Sequence, residues 1–254
     1  MQHTVIPSPD HARPPEVPVT PADQFAHRRG EPRTFIALWV VLLLASIAVT
    51  LGGVGMLGLL ATDVYRPAAR RLLIMIMVGS IVLWPMLRLS QIAPRRPARA
   101  FVVDALAVLV PIQAIIWPQS FPWMAAWPWE VSACVALWFA AWAVAIAGML
   151  TWFFSGRRPA CAPWALMVFF VSLAMGGVVA AAARPATDLD AEGLRTFDGW
   201  MMVSPVTGVW ELTEDRAWTG LAAQVTSGHW WAVGWAWTFA LVCWVLARSR
   251  AGQA

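Results

Sequence analysis

The chain has 254 residues, of which 59% are hydrophobic and only 13% charged, with a formal net charge of +4. A soluble domain carries about 25% charged residues, and a water-facing fold could not hide this much apolar surface, so a soluble globule is excluded and an integral membrane protein is expected. All 18 basic residues are arginine. Without lysine there is no Walker phosphate loop and no Schiff-base chemistry.

Residues 1–33 hold seven of the 19 prolines and three of the four histidines, His3, His11 and His27. Such a segment cannot bury enough surface to fold alone. It is expected to be a disordered, Pro-rich cytoplasmic tail, with at most a short helix around Ala22 to Arg29. The apolar run behind it is too long for a signal-peptide core.

Six apolar segments follow, each read as a spanning helix because lipid cannot satisfy free backbone polar groups. The first, Thr34 to Ala61, carries Gly52, Gly53, Gly55 and Gly58, which predict a close helix-packing face. The second, Leu72 to Leu89, follows a short loop bearing Arg66, Arg70 and Arg71. It contains Trp84-Pro85 and has Arg88 one turn from its end. The third, Phe101 to Trp117, carries Asp104 one turn inside. Antiparallel neighbours place Arg88 and Asp104 at one depth, so an intramembrane ion pair is expected. A proton- or substrate-handling site and unpaired snorkelling are the alternatives. Deeper in this span, Pro111 frees a carbonyl that the Gln113 amide could satisfy, with a substrate contact along a path as the alternative. Pro118 to Glu130 has no basic residue. With Trp117, Trp123, Trp127 and Trp129 it reads as an aromatic belt at the outer interface.

Glu130 opens the fourth span, Val131 to Phe154, where its charge suits a helix N-terminus; Ala141 and Ala145 form its small-residue face. The fifth span, Trp164 to Ala183, repeats Ser172, Gly176 and Ala180 at four-residue spacing, a second packing face. The connection Arg184 to Gly228 holds seven of the 14 acids. Within it Ser204-Pro205 is a helix start, a side-chain cap followed by proline at the first helical position. A short outer helix, lying on the membrane or dipping into it, is predicted over about Pro205 to Leu212, carrying Trp210, with its apolar side against the bundle or lipid and the flanking acids Asp198, Glu211, Glu214 and Asp215 in water. The sixth span, His229 to Ala247, leads to a short C-terminal tail, 251–254.

The fold class is therefore all-α: a polytopic membrane domain over 34–250 with six transmembrane helices. With both termini cytoplasmic, 12 arginines fall inside and six outside, the bias that the positive-inside rule favours. The Arg66 to Arg71 cluster runs against it. Cys134, Cys161 and Cys243 make no C-x-x-C or zinc spacing and fall at different depths, so neither a metal nor a disulfide is expected. With no His-based triad and no paired carboxylates, no enzyme activity is expected.

The six spans, both termini inside, and the outer Ser204-Pro205-Val206-Thr207 element between the last two spans resemble the permease subunit of type-2 ABC exporters. The resemblance is architectural over about 34–250 and motif-like over a dozen residues. It departs where those permeases carry an amphipathic coupling helix, for which Ala22 to Arg29 is a short and poorly amphipathic counterpart. It implies a permease or accessory membrane subunit of an export system, in the cytoplasmic membrane of a bacterium, with a separate ATPase chain as partner. The alternative is a non-transporting scaffold or assembly factor that binds another membrane protein through its outer loop or tail. No nucleic acid is expected as a partner. Gly228 to Trp237, GHWWAVGWAW, resembles the tryptophan-rich element of haem-handling membrane proteins. It lacks that element's aspartate and has only His229 nearby, so no cofactor is expected.

Overall fold

A computed structural model describes residues 32–56, 62–91, 93–94, 96–156, 161–182, 197–215 and 223–252. The tail with its Ala22 to Arg29 helix, and Gly58, lie outside those residues. All regular structure among the described residues is helical. We number the helices α1 (Pro32–Met56), α2 (Thr62–Val78), α3 (Trp84–Leu89), α4 (Pro97–Ile116), α5 (Trp129–Phe154), α6 (Ala162–Ala182), α7 (Pro205–Thr213) and α8 (Ser227–Ala251).

Five stretches are long and apolar enough to cross a membrane: Thr34–Gly52, Val64–Leu89, Pro97–Ser120, Trp129–Phe154 and Ser227–Ala251. The chain is thus a multi-pass membrane protein. The apolar stretch Ala162–Gly177, which overlaps the expected fifth span, is shorter.

The second spanning unit begins about ten residues earlier than its hydropathy suggests. Helix α2 starts at Thr62, so Arg66, Arg70 and Arg71 lie in its first turns rather than in a loop. Hydropathy alone places these charges outside the span. In the fold, Arg66 and Arg70 are tied to carbonyls of neighbouring segments (below), and that offsets their charge. Between α2 and α3 the helix widens to a π-turn over Gly79–Leu83. Pro85 follows directly, and its ring would collide with the carbonyl one turn back in a regular helix. The wider turn removes that collision, with the Trp84 N–H bonding to the Gly79 carbonyl. The side chain of Leu42 fills the space a Cβ on Gly79 would need, so α1 packs directly on the π-turn.

Helix α5 is the core. Of its span, 78% is buried inside the bundle, with Trp138, Phe139, Ala141, Ala145 and Ile146 shut off from solvent. It is apolar all round because it is surrounded on all sides. Helix α4 runs antiparallel to it, with Phe101 against Phe154 at 5.2 Å. Helix α8 runs parallel to it: Trp142 meets Phe239, and the Trp244 indole donates to the Val144 carbonyl at 3.0 Å. Helix α1 runs antiparallel to α2 and α3, with Leu42 against Gly79 and Phe35 against Trp84, and the six long helical units alternate in direction. One end of the bundle carries α7 and the other carries Arg88.

Three packing expectations change. Gly52 has open space where a Cβ would stand, and so does Gly176. Ser172 and Gly176 are exposed, and α6 packs instead through Phe170, Ala174 and Gly177. Four-residue spacing marks two helix faces equally well, and only the neighbour's position selects between them. In the expected aromatic belt, Trp117, Trp123 and Trp129 are exposed, but Trp127 is buried. Cys134 and Cys243 are buried, Cys161 is exposed, and all three are free thiols.

Candidate functional site: the capped end of the bundle

Helix α7 begins where Ser204-Pro205 predicts. The Ser204 hydroxyl accepts the Val206 N–H at 3.3 Å, and Pro205 occupies the first turn. Of its nine residues only Trp210 is exposed, at 39%. The helix is therefore not a surface element lying on lipid. It is a plug set among α2, α5 and α6.

Two glycines make room for it. A Cβ on Gly208 would stand 2.6 Å from the Trp138 ring, and one on Gly177 would collide with the side chains of Thr207 and Ser204. Directional bonds fix the seat. The Trp138 indole donates to the Pro205 carbonyl at 3.0 Å. The Ser204 hydroxyl donates to the Ala174 carbonyl of α6 at 3.2 Å. The Thr207 hydroxyl donates to the Met201 carbonyl at 2.6 Å. At the far end of α7, Arg70 donates through Nε (3.1 Å) and Nη2 (2.5 Å) to the Thr213 carbonyl. A cation there complements the negative end of the helix dipole. Asp215 lies 3.7 Å from Arg66 and 3.6 Å from Arg70. Arg66 also donates to the Ala125 carbonyl at 2.7 Å, tying in the α4–α5 connection.

The flanking acids are where the sequence reading fails. Asp198 and Glu211 were expected in water, yet they are 3% and 8% exposed. Glu211 Oε1 accepts the Asp198 N–H at 2.9 Å and lies 3.5 Å from His229 Nε2. Asp198 Oδ1 accepts the Trp200 N–H at 3.0 Å. These bonds compensate for the lost water. His229 is fully buried at the start of α8, and its Nδ1 accepts the Thr226 N–H at 3.0 Å. A backbone N–H can only donate, so Nδ1 is the bare nitrogen and the neutral ring carries its proton on Nε2, facing Glu211. The signal was present as Thr226-x-x-His229, the spacing of a reciprocal helix cap. Glu214 and Asp215 are half-buried.

Two clefts open beside the cap. One, of about 480 Å³, is aromatic and lies between α5, α8 and residues 197–203, with Trp138, Phe197, Met202, Trp235 and Phe239 in its wall. The other, of about 580 Å³, lies between α1, α2 and α7 and includes Arg71.

At the opposite end, Arg88 Nε donates to Asp104 Oδ2 at 2.6 Å and Nη2 to Oδ1, a two-pronged pair. Arg88 is 8% and Asp104 1% exposed. Arg88 Nη1 reaches Gln91 Oε1 at 2.6 Å, and the guanidinium lies over the Phe35 ring at 5.2 Å. Both charges of the pair are answered by local partners, the arrangement of a structural pair. Gln113 does not serve the carbonyl freed by Pro111. Its amide donates to the Ala136 carbonyl of α5 at 3.1 Å and accepts the Trp117 indole N–H at 3.0 Å, a bridge between helices. Glu130 is half-buried in the first turn of α5. The structure brings Ser204, Pro205 and Trp210 together in the cap, pairs Arg88 with Asp104, and leaves Gln113 and Glu130 apart from both groups.

Among the described residues, no group of three His, Cys, Asp or Glu side chains could hold a metal ion. No family model, no curated protein and no solved structure matches the chain.

Proposed function

We propose that the chain is a non-enzymatic membrane scaffold, with six spans and cytoplasmic termini, that presents its capped end to a partner on the external side. The observation that carries this reading is how α7 is held. A gate must come off its seat, but α7 is set on two glycines, capped by Ser204, and bonded at both ends to other helices. Around that fixed plug stand exposed aromatics, Trp200 at 65% and Trp231 at 73%, which suit docking. The orientation gains support from Arg66 and Arg70. Their bonds to Ala125 and Thr213 account for two cations on the side where positive charge is disfavoured.

The permease reading is favoured by one observation, the place of α7 between the last two of six alternating helices. It requires a separate ATPase chain. Affinity purification in mild detergent separates the two. Under the scaffold reading a membrane or external protein co-purifies, and Trp200→Ala with Trp210→Ala releases it. Recovery of an ATPase that survives those substitutions would overturn the scaffold in favour of the permease. For orientation, exposed Cys161 is expected to react with an impermeant thiol reagent only after the membrane is opened. Labelling in intact cells would reverse the topology.

A further inference from the structure

Among the described residues, the cleft beside Arg71 differs from the other cationic sites at the capped end. Arg66 and Arg70 are committed to backbone carbonyls and to Asp215. Arg71, one residue on, is exposed and has no hydrogen bond or ion pair among the described residues. Its surroundings are apolar: Val49 of α1, Ile74 and Met75 of α2, Val206 and Trp210 of α7. The two hydroxyls in the wall have spent their protons. Thr50 donates to the Ser46 carbonyl at 2.6 Å and Thr207 to the Met201 carbonyl at 2.6 Å. The guanidinium of Arg71 and the indole N–H of Trp210 are the donors left for an occupant. Arg70 lies over the Trp210 ring at 5.1 Å, which adds positive charge at that edge.

Depth selects the occupant. Arg71 to Leu89, the end of the second span, is about 27 Å of helix at ~1.5 Å per residue. A hydrocarbon slab of about 30 Å therefore has its edge close to Arg71. The guanidinium stands at the level of lipid phosphates, with the apolar wall reaching toward the acyl chains. Arg71 has no acidic partner among the described side chains, and a bare cation at a lipid-facing wall is costly. A volume of about 580 Å³ is within the usual size of a small-molecule site.

We propose that this cleft is a binding site for one anionic phospholipid of the bilayer, its phosphate held by Arg71 and an acyl chain lying along Val49, Ile74, Met75 and Val206. The headgroup charge complements the unanswered cation, and the chain covers apolar wall that the cap leaves open. The lipid would bridge α1, α2 and α7 and so brace the cap from its membrane side. A zwitterionic lipid offers the phosphate but adds a cation next to an already positive corner. Free phosphate offers the charge but leaves the wall uncovered.

The test is native mass spectrometry of the full chain. Protein stripped in a neutral detergent is incubated separately with phosphatidylglycerol, phosphatidylcholine and glycerol 3-phosphate. One phosphatidylglycerol should be retained, favoured over phosphatidylcholine by about fivefold, the effect of one basic residue near anionic lipid, and glycerol 3-phosphate should not be retained. Arg71→Gln should bring phosphatidylglycerol down to the phosphatidylcholine level, and Arg71→Lys should restore part of the preference. Ile74→Trp, which fills the cleft and keeps the charge, should lose the lipid. Equal retention of the two lipids, unchanged phosphatidylglycerol binding in Arg71→Gln, or binding of glycerol 3-phosphate as strong as that of phosphatidylglycerol would overturn the site. If Arg71→Gln does not fold, Ile74→Trp decides, and retention of phosphatidylglycerol by that variant would overturn it equally.

Discussion

The two ends of the bundle solve the same problem, polar groups in a low-dielectric setting, in opposite ways. At one end a single arginine meets a single aspartate with two hydrogen bonds, and both are buried. At the other, Arg66, Arg70, Asp198, Glu211, Asp215 and His229 are bonded or paired piecemeal, several of them through backbone groups of connections and helix ends. Asp104 has only Arg88 to answer its charge among the described residues. A distributed set loses one bond at a time and keeps the rest. The Arg88 end should therefore fail as a unit, and the capped end by increments.

The largest effect is expected at the pair. Arg88→Ala leaves Asp104 buried and uncompensated, a loss of about 3–5 kcal/mol. Thermal unfolding in detergent should show it as a large drop in Tm. The Arg88→Ala/Asp104→Ala double variant should be more stable than either single one. Losses that simply add would mean the two side chains act independently, and the contrast between the ends would disappear.

Next comes the glycine seat. Gly208→Ala forces a methyl into the Trp138 ring, an overpacking cost of about 1–3 kcal/mol. The same contact can be relieved from the other side with Trp138→Phe, which gives up the bond to the Pro205 carbonyl at about 1–3 kcal/mol. If the two substitutions lose as much together as they do separately, with no compensation, the ring is not what holds α7 in place.

Smaller again, Ser204→Ala removes the N-cap of α7 and should cost about 1 kcal/mol. The cap should stay in place, because Trp138 and Arg70 still hold it. A single-cysteine scan over Met201 to Leu212 reads this directly: fast labelling at Val203 and Trp210, intermediate at Met201 and slow at the rest is expected in both proteins. Fast labelling throughout in the Ser204→Ala protein would show that the capped end also fails as a unit.

The smallest expected effect is a gain. Ala126 sits at a φ of 51° in the α4–α5 connection, a left-handed conformation that disfavours a side chain. Ala126→Gly should raise stability by less than about 1 kcal/mol, and a fall in Tm would mean that the side chain contributes packing there.

Hydropathy and helix-start chemistry are local, so the sequence by itself determined the membrane class, the long helical units and the Ser204-Pro205 start of α7. It also set Arg88 and Asp104 one turn inside consecutive helices, where antiparallel packing makes their depths equal. Partner choice is not local. Arg66, Arg70 and Arg71 read alike along the chain. Only the position of α7 and of the 117–128 connection gives the first two carbonyls to bind and leaves the third facing a cleft. The acids around α7 looked like solvent groups because nothing nearby in sequence answers them. Glu211 is answered by Asp198, 13 residues earlier, and by His229, 18 residues later. Small residues gave the same ambiguity, since Gly176 and Gly177 are equivalent in composition while the approach of Ser204 and Thr207 singles out Gly177. Local propensity fixes which segments become helices; which face is buried, and which charge finds a partner, depends on neighbours that only the folded chain brings within a few ångströms.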